Sequence, residues 1–126
     1  MKHLLAILFS AFTLISFAQA DITPQVSDAL KKGDANALSA YFMGTVEIEL
    51  KEESNAYSAA DAKSVMATFF SQNPVKSFTI KHQGTSKLDD QYRIGDLVTT
   101  KGNYRVTFFM KKVGNGWQIK QLKIEG

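Results

Sequence analysis

The residue types that could move a proton lie mainly in the second half of the chain. His82 and Asp96 fall in segments whose alternation predicts β-strands, and His82 shares the parity of the apolar Phe78 and Ile80. A carboxylate or imidazole base beside a tyrosine hydroxyl in an apolar pocket can polarise a carbonyl group while a proton moves. One hypothesis is therefore an enzyme of the isomerase or dehydratase kind with His82 or Asp96 as proton carrier.

A non-catalytic interpretation of the same residues is favoured. A lone histidine on an apolar strand face is more often a hydrogen-bonded residue of the core or its rim. An aspartate beside a glycine, as in Gly95-Asp96, commonly stabilises a turn or bulge. The favoured hypothesis is an exported binding module that holds a small apolar ligand or a protein partner and catalyses no reaction.

Other kinds of chemistry find no support in the sequence. After residue 20 the chain has one histidine and no cysteine, so we predict no metal site and no cofactor. Gly114-Asn115-Gly116 is a hairpin turn rather than a phosphate-binding loop, because it does not begin a helix. Residues 101–108 partly resemble the aromatic strand of RNA-recognition domains, but Asn103 and Arg105 replace its aromatics. We predict no nucleic-acid partner.

The first twenty residues have the pattern of a signal peptide. Met1-Lys2-His3 is basic, Leu4–Phe17 is almost continuously apolar, and Ala18-Gln19-Ala20 has the small-x-small spacing of a cleavage site. The apolar run is shorter than the roughly 20 residues that span a bilayer, so we predict no stable membrane anchor. The sequence predicts export to the periplasm or the cell exterior, leaving one domain over residues 21–126.

Alternating apolar residues in 76–126 predict a strongly curved antiparallel sheet. Tyr104, Val106, Phe108 and Met110 share one face, and the parity of the apolar residues changes within the next strand. A bulge at Lys120-Gln121 would keep the apolar residues of that strand on one face, and a second bulge is predicted at Gly95-Asp96. Two bulges imply a concave apolar face that other elements must cover.

Three helices are predicted before most of this sheet. The first is capped by Thr23 and ends at Gly33; the second is capped by Asp34 and ends at Gly44. A strand over 46–50 follows, then a longer helix that begins after Ser58 and ends at Asn73-Pro74. The predicted fold class is α+β, with three helices on the concave face of an antiparallel sheet of about five strands.

The enclosed space could be hollow or filled. A hollow cone would bind a ligand, whereas Phe69, Phe70, Phe78, Phe108 and Trp117 could also fill it completely. The candidates to line a cavity are Tyr41, Met66, Phe69, Phe78, Ile80, His82, Tyr92, Tyr104, Val106, Phe108 and Trp117.

Three segments of the sheet region resemble a known family. The segments 78–84 (FTIKHQG), 104–106 (YRV) and 117–122 (WQIKQL) are similar to those of small secreted Bacteroidetes proteins labelled domain of unknown function 4783. The order of elements resembles the cone fold named for nuclear transport factor 2, which is also described as cystatin-like. The resemblance implies this fold and export, and it implies no activity.

Charge is unevenly distributed along the chain. Residues 21–75 contain four lysines and eight acidic residues, whereas residues 76–126 contain ten lysines or arginines and four acidic residues. Most of the basic residues have outward parity and are typical of a solvated sheet face; an anionic partner is the alternative. Phe109 has the same outward parity as Arg105, and an apolar residue among these charges makes a homodimer through the outer sheet face one hypothesis.

Overall fold

The computed structural model describes residues 21–126, so the predicted signal peptide lies outside the described residues. The helices are α1 (Thr23–Lys32), α2 (Ala35–Ser39) and α3 (Ala59–Gln72). The strands are β1 (Phe42–Leu50), β2 (Glu53–Ser58), β3 (Val75–Thr85), β4 (Gln91–Thr99), β5 (Gly102–Val113) and β6 (Gly116–Glu125).

The strands form one sheet in the order β2-β1-β6-β5-β4-β3. The α+β class is confirmed, but the sheet has six strands and is mixed, because β1 runs parallel to β6 while all other neighbours are antiparallel. The strand missing from the prediction is β2. Its residues are almost all exposed, so it has no apolar alternation that a sequence pattern could reveal.

Side-chain caps fix two of the helix starts. Asp34 accepts a hydrogen bond from the Ala37 amide at 3.0 Å, and Ser58 accepts one from the Asp61 amide at 3.1 Å. The predicted cap at Thr23 is wrong, because Ile22 occupies the N-cap and Thr23 is already helical. These caps place α2 and α3 at defined positions against the sheet.

The prediction that the second helix continues to Gly44 is also wrong. Helix α2 ends at Ser39, and Phe42 already pairs with Ile119 of β6. The carbonyl oxygen of Tyr41 accepts a hydrogen bond from the Ile119 amide at 2.7 Å. Sheet pairing therefore replaces the helical hydrogen bonds from this point, and Gly44 lies within β1.

The hydrophobic core lies between the inner face of the sheet and the three helices. Val106, Phe108 and Met110 of β5 are buried on that face, as their alternation predicts. The helices contribute the buried residues Val26, Ala29, Leu30, Ala35, Leu38, Ala62, Met66, Phe69 and Phe70. Burial of this apolar surface stabilises helices that are too short to be stable alone.

Extra residues in two strands change which side chains face the core. In β6 the register skips Lys120, so Ile119 and Leu122 are both buried, and this confirms the bulge predicted at Lys120-Gln121. The bulge predicted at Gly95-Asp96 is wrong, because β4 pairs with β5 without interruption. The register between β3 and β4 shifts instead at Lys81. A further shift at Lys76 lies near the start of β3.

Gly95 has a packing role on the inner face of β4. The ring of Phe78 lies against it, and a Cβ atom at position 95 would be 2.6 Å from Phe78 Cζ. The same Cβ would be 2.6 Å from the carbonyl oxygen of Thr79 in the neighbouring strand. Because Gly95 has no side chain, the buried Phe78 ring can pack directly against the backbone of β4.

Gly95→Ala should destabilise the fold by about 2 kcal/mol, because the new methyl group meets both a buried ring and a fixed backbone oxygen. The measurement is the free energy of unfolding in urea. Gly44→Ala is the matched control, since a Cβ at that strand position meets no atom within 4 Å. The control should change stability by less than about 0.5 kcal/mol. Equal losses in the two variants would contradict this packing role.

A hydrogen-bonded cluster attaches the start of α1 to β4. The buried Arg93 donates from Nε to Thr23 Oγ1 at 3.0 Å and from Nη2 to Asp21 Oδ2 at 3.4 Å. Asp21 Oδ1 accepts hydrogen bonds from the Thr23 hydroxyl at 2.7 Å and the Thr23 amide at 2.9 Å. Partial burial raises the pKa of Asp21, but these hydrogen bonds and the Arg93 charge outweigh burial, so the pKa is lowered from 3.8.

Protonation of Asp21 should therefore weaken the fold. Because its pKa is lower in the folded state, Asp21 stabilises the protein above pH 3.8, and this contribution is lost as the pH falls through the folded-state pKa. Urea unfolding between about pH 6 and pH 3 should show a smaller acid-induced loss of stability in Asp21→Asn than in the wild type. Asp28→Asn, which leaves the cluster intact, should keep the wild-type profile; a wild-type profile in Asp21→Asn would refute the prediction.

Candidate functional site

A partly open cavity of about 1080 Å³ lies between α3 and the sheet. This volume is slightly above the range of about 300–1,000 Å³ that is usual for small-molecule sites. The cavity is lined by Leu50, Lys51, Glu52, Glu53, Val65, Thr68, Phe69, Gln72, Asn73, Tyr104, Ile124, Glu125 and Gly126. Its size and position make it the candidate binding site.

The cavity walls come from one face of α3 and from three neighbouring strands. Val65, Phe69 and Gln72 are separated by four and three residues, so they lie on one side of the helix. Opposite them, Leu50 of β1 pairs with Ile124 of β6 on the inner sheet face. Helix spacing and strand pairing together produce an apolar surface on both sides of the cavity.

An aromatic pair and a buried amide hold one wall in place. The rings of Phe69 and Tyr104 meet edge to face, with centroids 5.3 Å apart. The Tyr104 hydroxyl donates to Asn73 Oδ1 at 2.8 Å, and Asn73 Nδ2 donates to the Phe69 carbonyl oxygen at 2.9 Å. Asn73 therefore ends α3, as predicted, and also connects it to β5, which the sequence did not indicate.

The rim of the cavity is acidic. Glu52, Glu53 and Glu125 carry three carboxylates there, and Lys51 is the one basic residue in the lining. Lys51 and Glu52 form the tight turn between β1 and β2 with φ angles of 51° and 68°. This left-handed conformation is unfavourable for residues other than glycine, asparagine and aspartate.

Among the eleven predicted lining residues, the structure places Phe69 and Tyr104 at the cavity. Met66, Phe78, Val106 and Phe108 are buried in the core, while Tyr41, Ile80 and Trp117 are partly buried against it. The interior is therefore solid around Phe78 and Phe108 and hollow beside Tyr104. The filled cone considered in the sequence analysis describes the region around Phe78 and Phe108. The hollow cone describes the region beside Tyr104.

Two predicted lining residues lie on the outer face of the sheet. The shift at Lys81 places the exposed His82 opposite Ile94 on the outer face. Tyr92 lies on that face as well, with its ring centroid 5.9 Å from that of Phe109. Its hydroxyl covers Gly84, where a Cβ would be 2.6 Å away. The predicted inward position of both residues is wrong, because the extra residue is in β3 and not in β4.

The two candidate proton carriers do not meet at the cavity. Asp96 is exposed on the outer face opposite Arg105, and it lines a separate depression of about 510 Å³ at the edge of Tyr104. The Tyr104 hydroxyl donates its hydrogen bond to Asn73 and not to Asp96. The arrangement of base and tyrosine donor required by the enzyme hypothesis is thus not formed by His82 or Asp96.

Comparison with known proteins assigns the family. A family model described as domain of unknown function (DUF4783) matches residues 23–125. The chain belongs to the DUF4783 family. This confirms the resemblance of the three sheet segments, and it adds no activity.

Solved structures of DUF4783 proteins are similar to the chain over most of its length. A DUF4783 protein from Bacteroides fragilis is 34% identical, with a TM-score of 0.78, and the match covers 82% of this chain and 97% of that one. A DUF4783 protein from Bacteroides ovatus is 36% identical, with a TM-score of 0.75 and coverages of 79% and 90%. No curated protein matches the chain.

The wider fold is that of nuclear transport factor 2. A structure named Rd1NTF2_04 with long sheet has a TM-score of 0.65 at 16% identity, and the match covers 82% of this chain and 95% of that one. At this identity the likeness concerns the fold alone. The cone fold expected for this DUF4783 chain is therefore confirmed.

Other features of the DUF4783 domain bear on possible partners. Across residues 21–126, no helix is both long and apolar enough to cross a bilayer. Arg105 and Phe109 lie on the outer face of β5. The homodimer through this face stays a prediction. In the same part of the chain, no group of three histidine or acidic side chains could hold a metal ion.

Tyr104→Phe should destabilise the DUF4783 domain by about 1–2 kcal/mol, because it leaves the buried Asn73 oxygen without its donor. The measurement is again urea unfolding. Tyr57→Phe is the control, since the Tyr57 side chain is also half-buried and its hydroxyl makes no hydrogen bond within residues 21–126. The control should lose less than about 0.5 kcal/mol. A Tyr104→Phe variant as stable as the control would contradict the role of this contact.

Proposed function

We propose that this domain is a non-catalytic binding module that acts after export and holds a small apolar ligand in the cavity beside α3. The single observation that carries the proposal is the cavity itself, which has an unfilled volume of about 1080 Å³ next to a closely packed core. A partly open cleft between a helix and a sheet, with apolar walls and a few polar atoms, has the form of typical small-molecule sites.

The chemistry of the walls supports an apolar ligand. Leu50, Val65, Phe69 and Ile124 present hydrocarbon surface from both sides of the cavity. Each 100 Å² of apolar surface that a ligand buries against them would contribute about 2.5 kcal/mol before the costs of association. Asn73 and Tyr104 add a few polar atoms to this surface, and such atoms orient a ligand in typical small-molecule sites.

The positions of the ionisable residues support binding without catalysis. A general base must reach within hydrogen-bond distance of the proton that it removes. His82 and Asp96 are both exposed on the opposite face of the sheet, and neither lines the large cavity. The acidic residues at the cavity are on its rim, in and next to the exposed β1–β2 turn and at the end of β6.

The proposal is tested with the neutral fluorescent probe N-phenyl-1-naphthylamine. The wild-type protein should bind it saturably at one site, and Val65→Trp should weaken this binding because the indole occupies space between α3 and the sheet. Ala67→Trp is the matched control, since Ala67 is an exposed residue of the same helix outside the lining. Circular dichroism would verify that both variants are folded.

Two outcomes would refute the proposed function. One is the absence of saturable binding to the wild type. The other is equal binding by the Val65→Trp and Ala67→Trp variants, which would place the probe outside the cavity.

A further inference from the structure

The charge of the cavity rim is opposite to that of the protein as a whole. The chain has a formal net charge of +3, yet the cavity lining contains three carboxylates and one ammonium group. A rim that simply followed the composition of the chain would be neutral or basic. Glu52 and Glu53 come from the acidic half of the chain and Glu125 from its basic half, and the fold brings the three together at this site.

The carboxylates at the rim are weakly neutralised by neighbouring cations. Glu52 and Glu53 form no ion pair within residues 21–126. The nearest cation to Glu125 is Lys123 at 4.0 Å, and Lys123 also lies 3.8 Å from Glu49. The negative potential at the mouth of the cavity is thus available to a bound molecule.

A partly enclosed apolar cavity strengthens the effect of these charges. Two charges interact more strongly beside a partly enclosed apolar surface than in water, because the effective dielectric constant there is lower. Desolvation of the charged groups offsets part of this energy. The negative charge of the rim carboxylates nevertheless favours a cation at the rim and disfavours an anion.

The aromatic and polar atoms of the lining are compatible with the same ligand. Phe69 and Tyr104 provide rings whose faces attract cations as well as hydrocarbon chains. The Tyr104 hydroxyl already donates its proton to Asn73, so its oxygen can only accept a further hydrogen bond. An ammonium or amine group is a donor, and a carboxylate or sulfate is not.

We infer that the ligand is a cationic amphiphile, with its apolar tail between Phe69 and Ile124 and its positive head group among Glu52, Glu53 and Glu125. This inference rests on the proposed function, because it specifies the ligand class of the same cavity. Glu52 and Glu53 act as specificity-determining residues that select the sign of the head group.

The test compares two probes that have the same tail and opposite heads. Dodecylammonium and dodecyl sulfate, each kept below its critical micelle concentration, compete with N-phenyl-1-naphthylamine for the wild-type protein. The cationic probe should displace the dye at a concentration at least about tenfold lower. The difference should shrink as the salt concentration rises from about 0.01 M to 1 M, because salt screens charges at an open rim.

Two double variants of acidic residues provide the variant and its control. Glu52→Gln/Glu53→Gln removes two rim charges and should reduce the preference for the cationic probe to about threefold or less. Asp28→Asn/Glu47→Gln removes two charges outside the cavity lining, one from α1 and one from the outer face of β1, and should keep the wild-type preference. The two double variants have the same net charge, so a difference between them reports the position of the charges.

A third variant separates the charge from the stability of the turn. Glu52→Gly removes a rim charge and also relieves the left-handed backbone at φ 68°. It should lower the preference for the cationic probe while leaving the urea midpoint unchanged or higher. A lower preference in a protein of full stability cannot be attributed to unfolding.

The outcomes distinguish this inference from the proposed function. If the dye binds in the cavity but both probes displace it equally, or dodecyl sulfate does so better, the inference is wrong and the binding module stands. If Asp28→Asn/Glu47→Gln loses the preference as much as the rim variant does, the assignment to Glu52 and Glu53 is wrong. If neither the dye nor either probe binds, both the inference and the proposed function fail.

Discussion

Burial of one face of the six-stranded sheet is the constraint on which the structure depends. The three helices are short, and α1 and α2 have no stability of their own at 10 and 5 residues. They are held because Leu30, Leu38 and Met66 complete a core whose other half is the inner sheet face. Helix α3 leaves the end of that face near Tyr104 uncovered. The candidate site is the part of the sheet that the helices do not fill.

The fold was most predictable in strands that bury only one face, because such strands alternate between apolar and polar residues. In β5 and β6 the alternation is strong, so their inward residues and the bulge at Lys120 could be predicted. In β4 the apolar parity was interpreted as a bulge at Gly95, whereas Tyr92 and Ile94 lie on a half-buried outer face in unbroken alternation. A period of two gives side-chain parity within one strand. It does not reveal an extra residue in the partner strand, and that residue is at Lys81.

The candidate site was less predictable than the fold, because its residues have no common sequence signal. Leu50 and Ile124 meet only through the parallel pairing of β1 with β6, which a sequence of alternating strands does not specify. Asn73 could be predicted as a helix end, but its bond to Tyr104 depends on how α3 lies on the sheet. Phe69 and Tyr104 belong to strong apolar periodicities and lie at this cavity, whereas the other residues around it carry no such pattern in common.

The register shifts at Lys76 and Lys81 also determine how the sheet ends. Strand β3 is an outer strand, and two irregularities with a lysine at each disrupt the row of backbone groups that another chain would need for strand addition. The opposite outer strand, β2, pairs regularly with β1 over Glu53–Ser58 and has no such obstruction. Strand addition by a second chain is therefore disfavoured at the β3 edge of the sheet.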